Sequence, residues 1–185
     1  MCGINGIINF RHKKNIERLK IMNKTIIHRG PDNEGIWTND FCTIGHLRLS
    51  IIDKNERSNQ PMQRNNYIIS FNGEIYNYKE LKKRLFTTSF KTNSDTEVIL
   101  ALWEKYGEEC INMLRGMFAF AIFDISKNIL FLARDKFGIK PLYYMKTEDE
   151  LIFSSEIKAI KKVLKNNLSI NSTALVESMM YVYIT

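Results

Sequence analysis

The chain has 185 residues, of which 44% are hydrophobic and 25% charged, and these values exclude a disordered or fibrous protein. A chain of this length predicts one domain with room for a sizeable core. Its net charge of +7 is compatible with nucleic-acid binding, but the basic residues are scattered and accompany no nucleic-acid motif, so a lysine-rich surface is favoured.

Membrane and secreted classes are also disfavoured. No apolar run approaches the roughly 18 residues that span a bilayer. The first residues lack the basic leader of a signal peptide, so we expect a cytoplasmic protein without a membrane partner. The three cysteines, Cys2, Cys42 and Cys110, are odd in number and lack metal-type spacing, which argues against a zinc site and a disulfide scaffold. These observations leave open that one of the three cysteines is a reactive thiol.

The apolar pattern of the first 75 residues predicts strands around one helix. The strands are expected over residues 3–10, 36–37, 41–44, 47–52 and 66–71. An amphipathic helix is expected over 13–27, and a Gly-Pro turn over 28–32 follows it.

The second half predicts helices that enclose a hairpin. A helix over 76–85 precedes one that begins at Ser94 or Asp95, because Glu97 lies three residues beyond Ser94 as in a capping box. Residues 117–123 are apolar on both faces, which predicts a strand covered on both sides and paired in a hairpin. The remaining strands are expected over 142–145 and 150–154, and the remaining helices over 156–164 and 172–183. Hairpins with outer helices predict an α+β domain of antiparallel sheets.

Cys2 is a candidate nucleophile only if Met1 is removed. A free thiol with a pKa of about 8.5 is mostly protonated at neutral pH, so acyl transfer needs a nearby base. No evident cysteine–histidine pair supplies one. Removal of Met1, usual before a small side chain, would give residue 2 an α-amine whose pKa of about 7.7–8.0 suits that task. Taken alone, a Met-Cys start by chance is the better interpretation.

A series of short motifs in a fixed order makes a nucleophile the better interpretation of Cys2. They are Met-Cys-Gly-Ile (1–4), His-Arg-Gly-Pro-Asp (28–32), Gly-His-Leu-Arg-Leu-Ser-Ile-Ile-Asp (45–53), Gln-Pro-Met (60–62), Phe-Asn-Gly-Glu-Ile-Tyr-Asn-Tyr (71–78), Ser-Asp-Thr-Glu-Val (94–98), Arg-Gly-Met-Phe-Ala-Phe-Ala (115–121), Ala-Arg-Asp-Lys-Phe-Gly-Ile-Lys-Pro-Leu-Tyr-Tyr (133–144) and Ser-Ser-Glu-Ile-Lys-Ala (154–159). Together they resemble the class II glutamine amidotransferase domain of asparagine synthetases, a domain that belongs to the N-terminal nucleophile hydrolases. The resemblance covers residues 1–165. Each motif alone is weak, whereas their joint order is specific.

The resemblance implies a four-layer αββα sandwich with Cys2 at the end of a central strand. It also implies an oxyanion hole formed by the Asn72 side-chain amide and the Gly73 backbone N–H. We expect the glycine to let the backbone approach the substrate. The ordinary alternative for Asn72-Gly73 between apolar residues is a hairpin turn.

The same resemblance implies a glutamine site. Arg48 would bind the α-carboxylate through its planar guanidinium, and Asp95, aided by Glu74, would bind the α-ammonium. The backbone after the arginine would line the pocket at Leu49, Ser50, Ile51 and Ile52. The ordinary alternatives are a surface charge for Arg48 and a helix N-cap for Asp95.

Other motif residues are expected to have structural roles. Residues 28–32 would shape a turn beside the pocket, with Arg29 in an ion pair. Arg134-Asp135 would form a buried turn, and Phe137-Gly138 an edge that faces a partner domain. Four residues near the end are interpreted as helix packing: Met179, Met180, Tyr181 and Tyr183.

These features predict a glutaminase that hydrolyses L-glutamine to glutamate and ammonia through a Cys2 thioester, without metal or organic cofactor. ATP and Mg would serve only a synthetase domain, acting in cis or in trans, that uses the ammonia to make asparagine. That domain's Ser-Gly-Gly signature is absent, so residues 1–165 are predicted as the glutaminase domain and 166–185 as a C-terminal helix leading into an absent synthetase domain. The sequence leaves open whether the protein forms a homodimer.

Two rivals share the fold. One is a glutaminase domain that serves a sugar or polysaccharide acceptor; residues 48–53 favour the asparagine synthetase branch, but related proteins with other acceptors share these motifs. The other is a non-catalytic regulatory domain, disfavoured because Cys2, Arg48, Asn72, Gly73 and Asp95 occur together.

Overall fold

The computed structural model describes residues 1–164 and 169–181, and its strands form two antiparallel sheets. Sheet A consists of β1 (Gly3–Asn9), β2 (Asn33–Thr38), β3 (Cys42–Arg48), β8 (Tyr143–Lys146) and β9 (Glu150–Ser154). Sheet B consists of β4 (Met62–Arg64), β5 (Tyr67–Ile75), β6 (Gly116–Asp124) and β7 (Ile129–Arg134). The strand orders are β2-β3-β1-β9-β8 and β4-β5-β6-β7. Cys2 therefore directly precedes the central strand of sheet A.

Helices cover the outer face of each sheet. These helices are α1 (Ile16–Thr25), α2 (Tyr78–Arg84), α3 (Asp95–Tyr106) and α4 (Ile157–Val163), and a further helix, α5 (Ser172–Tyr181), follows them in the chain. Helices α1 and α4 pack on sheet A, where Leu19 and Ile160 share a core with Ile7 and Ile152. Helices α2 and α3 pack on sheet B. The four-layer αββα sandwich is as predicted.

Strand β6 shows why the layers form. Phe118 and Phe120 belong to the core beneath α2 and α3, whereas Ala121 and Phe123 belong to the core between the two sheets. Each fully buried phenylalanine contributes roughly 1.5–3 kcal/mol of transfer free energy. The strand is therefore covered on both sides, which confirms the prediction made from its apolar run.

Two predicted boundaries are wrong. The strand expected over 47–52 ends at Arg48, because the following loop folds back onto the Arg48 guanidinium. The strand expected to end at Phe71 continues to Ile75, because every residue from Tyr67 to Ile75 pairs with β6.

The last helix differs from expectation in its packing. It was predicted over 172–183, and residues 182 and 183 lie outside the described part of the chain. Met179 and Met180 are 78% and 66% exposed, so the interpretation of these two residues as helix packing is wrong for the described part of the chain. None of the described residues of α5 is buried. Among the described residues, no helix is long and apolar enough to cross a membrane.

Candidate active site

A pocket surrounds the Cys2 side chain at the start of β1, and its volume is about 90 Å³ with Met1 in place. The predicted site residues that line it are Cys2, Arg48, Leu49, Ile51, Ile52, Asn72, Gly73, Glu74 and Asp95. Ser50 is the exception, because its backbone N–H turns away to the Asp32 carboxylate at 2.7 Å. The fold thus brings together residues that are 93 positions apart in the chain.

The Cys2 thiol contacts the backbone of Leu49. The Leu49 N–H donates to Sγ at 3.4 Å, and Sγ lies 3.7 Å from the Leu49 carbonyl oxygen. Burial raises the pKa of Cys2, and the Leu49 hydrogen bond and the Arg48 charge offset this only in part. The thiol is therefore protonated at neutral pH and needs a base to react. Burial also raises the pKa of Cys110, to about 12, so that thiol is inert.

The free edge of β5 supplies the backbone groups of the pocket. In the part of β5 with which β4 does not pair, three N–H groups point away from β6. They belong to Phe71, Gly73 and Ile75. Phe71 N–H donates to Gln60 Oε1 at 2.7 Å, and Ile75 N–H donates to Asp95 Oδ2 at 3.0 Å. Gly73 lies between them on the same edge, so its N–H faces the pocket.

Asn72 adds a second donor to this edge. Its side chain is 1% exposed, and within the described residues its Nδ2 has no hydrogen-bond partner. An unsatisfied buried donor costs roughly 1–3 kcal/mol, so its presence in a pocket indicates a ligand atom yet to be bound. Asn72 and Gly73 lie within β5, so the hairpin-turn alternative is wrong.

Gly73 is a glycine because of its neighbouring strand. A Cβ at this position would lie 2.3 Å from the Met117 carbonyl oxygen on β6. This contact, on the side of the paired strand, requires glycine whatever the pocket holds.

Arg48 is buried at the end of β3 rather than exposed on the surface. Its Nη1 donates to the Asn55 carbonyl at 3.1 Å and to Asn59 Oδ1 at 2.6 Å. Its Nη2 donates to the carbonyls of Ile52 and Asp53. The guanidinium therefore holds the loop after β3 in place and puts a fixed positive charge beside the pocket.

Asp95 brings a carboxylate to the lining of the same pocket. It is the first residue of α3, and the helix is capped by Ser94, whose Oγ accepts from the Glu97 N–H at 3.3 Å, so the N-cap alternative for Asp95 is wrong. Its carboxylate accepts from the N–H groups of Ile75 and Thr96. Burial, together with the Glu74 charge, outweighs these bonds and raises the pKa of Asp95 to about 6.

A separate group of residues fixes the backbone at the nucleophile. Arg29 Nε donates to the Cys2 carbonyl at 2.9 Å, and its Nη1 lies 3.2 Å from Glu156 Oε1, which confirms the predicted ion pair. The Ile4 N–H donates to Ser155 Oγ at 3.0 Å. The motifs at 28–32 and 154–159 thus hold the first residues of β1.

Several residues that line the pocket have no predicted role, among them Gln60 and Lys140. Gln60 belongs to a quoted motif, but only the fold reveals what its amide contacts. Lys140 is buried, and its Nζ lies 3.2 Å from Met1 Sδ. Lys140 also belongs to a quoted motif, at 133–144, but the motif alone does not show that its side chain reaches the pocket.

Comparisons with known proteins agree with this geometry. The profile of the glutamine amidotransferase domain family matches residues 1–185. Asparagine synthetase (glutamine-hydrolyzing) 1 of Bacillus subtilis is 43% identical over 193 residues, covering 100% of this chain and 30% of that protein. Asparagine synthetase (glutamine-hydrolyzing) 2 of the same organism is 45% identical over 166 residues, covering 86% of this chain and 22% of that protein.

The fold also has a solved counterpart. Glutamine phosphoribosylpyrophosphate amidotransferase from Bacillus subtilis superposes with a TM-score of 0.75 at 24% identity, covering 88% of this chain and 43% of that chain. This likeness supports the sandwich fold of two antiparallel sheets with outer helices. The chain spans about a third or less of the curated relatives that it matches. Because the family profile covers its whole length, the chain belongs to the glutamine amidotransferase domain family.

Proposed function

We propose that this domain hydrolyses L-glutamine to glutamate and ammonia, with Cys2 of the Met-free chain as the nucleophile. The observation that carries the proposal is the buried Asn72 amide, which has no partner among the described residues and shares a pocket with the Cys2 thiol. With the Gly73 N–H it offers two donors for an oxygen that becomes negative during attack on a side-chain amide.

The first half of the reaction forms a thioester. The α-amine of Cys2 takes the thiol proton, and the thiolate attacks the side-chain amide carbon of glutamine. Asn72 and Gly73 hold the oxyanion of the tetrahedral intermediate. The α-ammonium then returns the proton to the amide nitrogen, and ammonia leaves.

The second half hydrolyses the γ-glutamyl thioester. The α-amine takes a proton from water, and the resulting hydroxide adds to the thioester carbon. The same two donors hold the second oxyanion. When this intermediate collapses, the thiolate leaves and recovers a proton, and glutamate is released.

The charges in the pocket support a zwitterionic amino acid as substrate. Arg48 is buried at one wall, and Asp95 with Glu74 stands at another. We propose that the α-carboxylate binds at Arg48 and at the loop of residues 49–52, and that the α-ammonium binds at Asp95. An ammonium there would offset the burial cost that raises the pKa of this carboxyl.

The use of the ammonia is a further part of the proposal. Because similar relatives are named asparagine synthetases, we propose that an ATP-dependent synthetase domain, in cis or in trans, receives the ammonia and makes asparagine. Residues 166–185 would lead towards that domain. A working thiol favours a reducing compartment, so we place the reaction in the cytoplasm.

The test uses the Met-free protein, verified by intact mass, and measures glutamate and ammonia formed from glutamine. Wild-type protein is expected to form both in equal amounts. Cys2→Ala is expected to lower turnover by at least about 10³-fold, because the covalent route is lost. Cys42→Ala is the matched control, since its thiol lies in the core between the sheets.

Turnover by Cys2→Ala at the wild-type rate would exclude the covalent mechanism. Full activity in protein that retains Met1 would exclude the α-amine as the base. For the acceptor, the protein in its full natural length is given ATP, Mg and either aspartate or a sugar. Formation of asparagine is expected.

A further inference from the structure

The loop residue Gln60 stands where a strand residue would be expected. In the β4–β5 pair, Met62 is opposite Ile69 and Arg64 is opposite Tyr67. Extending this antiparallel register by two residues places Gln60 opposite Phe71. Strand β4 nevertheless begins at Met62, so no strand in the described part of the chain pairs with the Phe71 backbone on this side.

The backbone of Gln60 is turned towards sheet A instead. A Cβ at Gly35 of β2 would lie 2.0 Å from the Gln60 carbonyl oxygen, so that oxygen rests directly on the glycine. The side chain takes over the missing strand contact, because Gln60 Oε1 accepts from the Phe71 N–H at 2.7 Å. Its Nε2 donates to Thr96 Oγ1 at 3.2 Å, in the first turn of α3.

His46 takes up the other backbone group of Phe71. It lies on β3 as the register partner of Gly35, and its Nε2 is 3.0 Å from the Phe71 carbonyl oxygen. Burial and the Arg48 charge lower the pKa of His46 to about 4, although the bond to Phe71 opposes this. The neutral ring therefore carries its proton on Nε2, since a carbonyl oxygen can only accept.

We propose that Gln60 and His46 are positioning residues for the oxyanion hole, an inference that rests on the proposed glutaminase function. Together they bind the N–H and the C=O of Phe71, the residue immediately before Asn72. They hold the unpaired end of β5 in a strand conformation, so that the Gly73 N–H and the Asn72 amide point at the same atom. Gln60 lines the pocket, but its Oε1 is bound by Phe71 and its Nε2 donates to Thr96, and His46 is not among the residues that line the pocket.

The arrangement also joins the two halves of the site. Gln60 contacts Phe71 on the oxyanion edge and Thr96, which follows Asp95 in the first turn of α3. Movement of one wall relative to the other therefore breaks a Gln60 hydrogen bond. Because oxyanion donors act only when correctly placed, we expect the loss of Gln60 to lower kcat more than it raises KM.

The decisive variant is Gln60→Met in the Met-free protein, because methionine keeps the length of the side chain without its amide. We expect kcat for glutamine hydrolysis to fall roughly 10- to 100-fold while KM changes less than about threefold. Thr96→Val, which removes only the Nε2 acceptor, should lower kcat less and in the same direction. Gln63→Met, on the exposed side of β4, should leave both constants unchanged.

Two reagents separate positioning from a general loss of structure. Alkylation of Cys2 by iodoacetamide needs only the thiolate, so its rate should be the same in all variants. Inactivation by 6-diazo-5-oxo-L-norleucine, a glutamine analogue whose ketone oxygen enters the oxyanion hole, should slow in Gln60→Met at saturating reagent. Thermal unfolding of each variant completes the comparison.

The outcomes are distinct. If wild-type protein releases no glutamate, the proposed function fails and the inference with it. If the wild type is active and Gln60→Met matches its kcat, the inference alone fails. It fails equally if the iodoacetamide rate falls together with kcat, because that indicates a purely structural role. Should Gln60→Met not fold, Thr96→Val decides, and an unchanged kcat there overturns the proposal.

Discussion

Two buried aspartates accept backbone N–H groups of neighbouring strands in sheet B. The pKa of one is raised, whereas the pKa of the other is lowered. Asp95 accepts the N–H of Ile75 at the end of β5, and Asp135 accepts the N–H of Phe118 on β6, just past the end of β7. Both are almost inaccessible, at 4% and 6% exposure. Each carboxylate accepts a backbone N–H of the sheet at a point where the neighbouring strand has ended.

The difference lies in what else each carboxylate binds. Asp135 also accepts from the N–H groups of Phe137, Ile139 and Lys140. Burial acts to raise the pKa of Asp135, but these backbone bonds outweigh it and hold the pKa below its usual value. Asp95 has fewer donors and faces Glu74, and its pKa rises to about 6. A carboxylate saturated by backbone stabilises a turn, whereas an under-satisfied one beside a pocket is suited to a cationic ligand.

The largest expected effect is on substrate binding by Asp95→Asn. Loss of the buried charge removes the proposed partner of the α-ammonium, so kcat/KM for glutamine should fall roughly 30- to 1000-fold, mainly through KM. The free energy of unfolding should change little, because the amide removes the cost of burying the charge and its oxygen still accepts from Ile75, which offsets the loss of the acceptor for the Thr96 N–H. Steady-state kinetics and denaturant unfolding measure the two quantities. An unchanged KM would remove Asp95 from the substrate site.

The second effect concerns Asp135→Asn, which should show the reverse pattern. The amide presents an NH₂ group to backbone donors that need an acceptor, so the free energy of unfolding should fall by about 2–3 kcal/mol. The KM for glutamine should stay within about twofold of wild type, since Asp135 does not line the pocket. If KM rises as it does in Asp95→Asn, both aspartates affect glutamine binding, and the proposed difference between their roles is wrong.

The fold could be read from the sequence where a signal is local. The apolar run of β6 predicted a strand covered on both sides, and the pattern of hairpins and helices predicted the α+β class. The apolar residues in the loop after Arg48 have the pattern of a strand, because a pocket lining and a core both contain apolar side chains. The Asn-Gly pair in β5 similarly resembles a turn, and only pairing with β6 along the whole strand shows otherwise.

The site residues were predicted from the order of the motifs, whereas their states depend on the fold. No pattern in the chain shows that the Asn72 amide lacks a partner among the described residues or that the Arg48 guanidinium holds its own loop. Gln60 was part of a quoted motif, yet its contacts join a loop, β5 and α3. Such roles require the relative positions of segments that are distant in sequence, which periodicity and spacing do not contain.

The smallest expected effect is a change of binding with pH, which tests the Asp95 assignment without removing a side chain. The Met-free Cys2→Ala variant cannot react, so glutamine binding can be measured directly by calorimetry. Since the pKa of Asp95 in the unbound protein is about 6, its carboxyl is mostly ionised at pH 7 and mostly protonated at pH 5. Glutamine itself keeps the same charge over this range.

The sign of the change follows from which form binds. An α-ammonium pairs with the ionised carboxylate, so lowering the pH from 7 to 5 should raise the Kd for glutamine about tenfold, and binding at pH 5 should release a proton. The same measurement on Cys2→Ala combined with Asp95→Asn should give weak binding with a flat pH profile. Asp135→Asn in the same background should keep the tenfold change, because the lowered pKa of Asp135 leaves it ionised throughout. A pH dependence that survives Asp95→Asn would assign the titration to another group and leave Asp95 with the same structural role as Asp135.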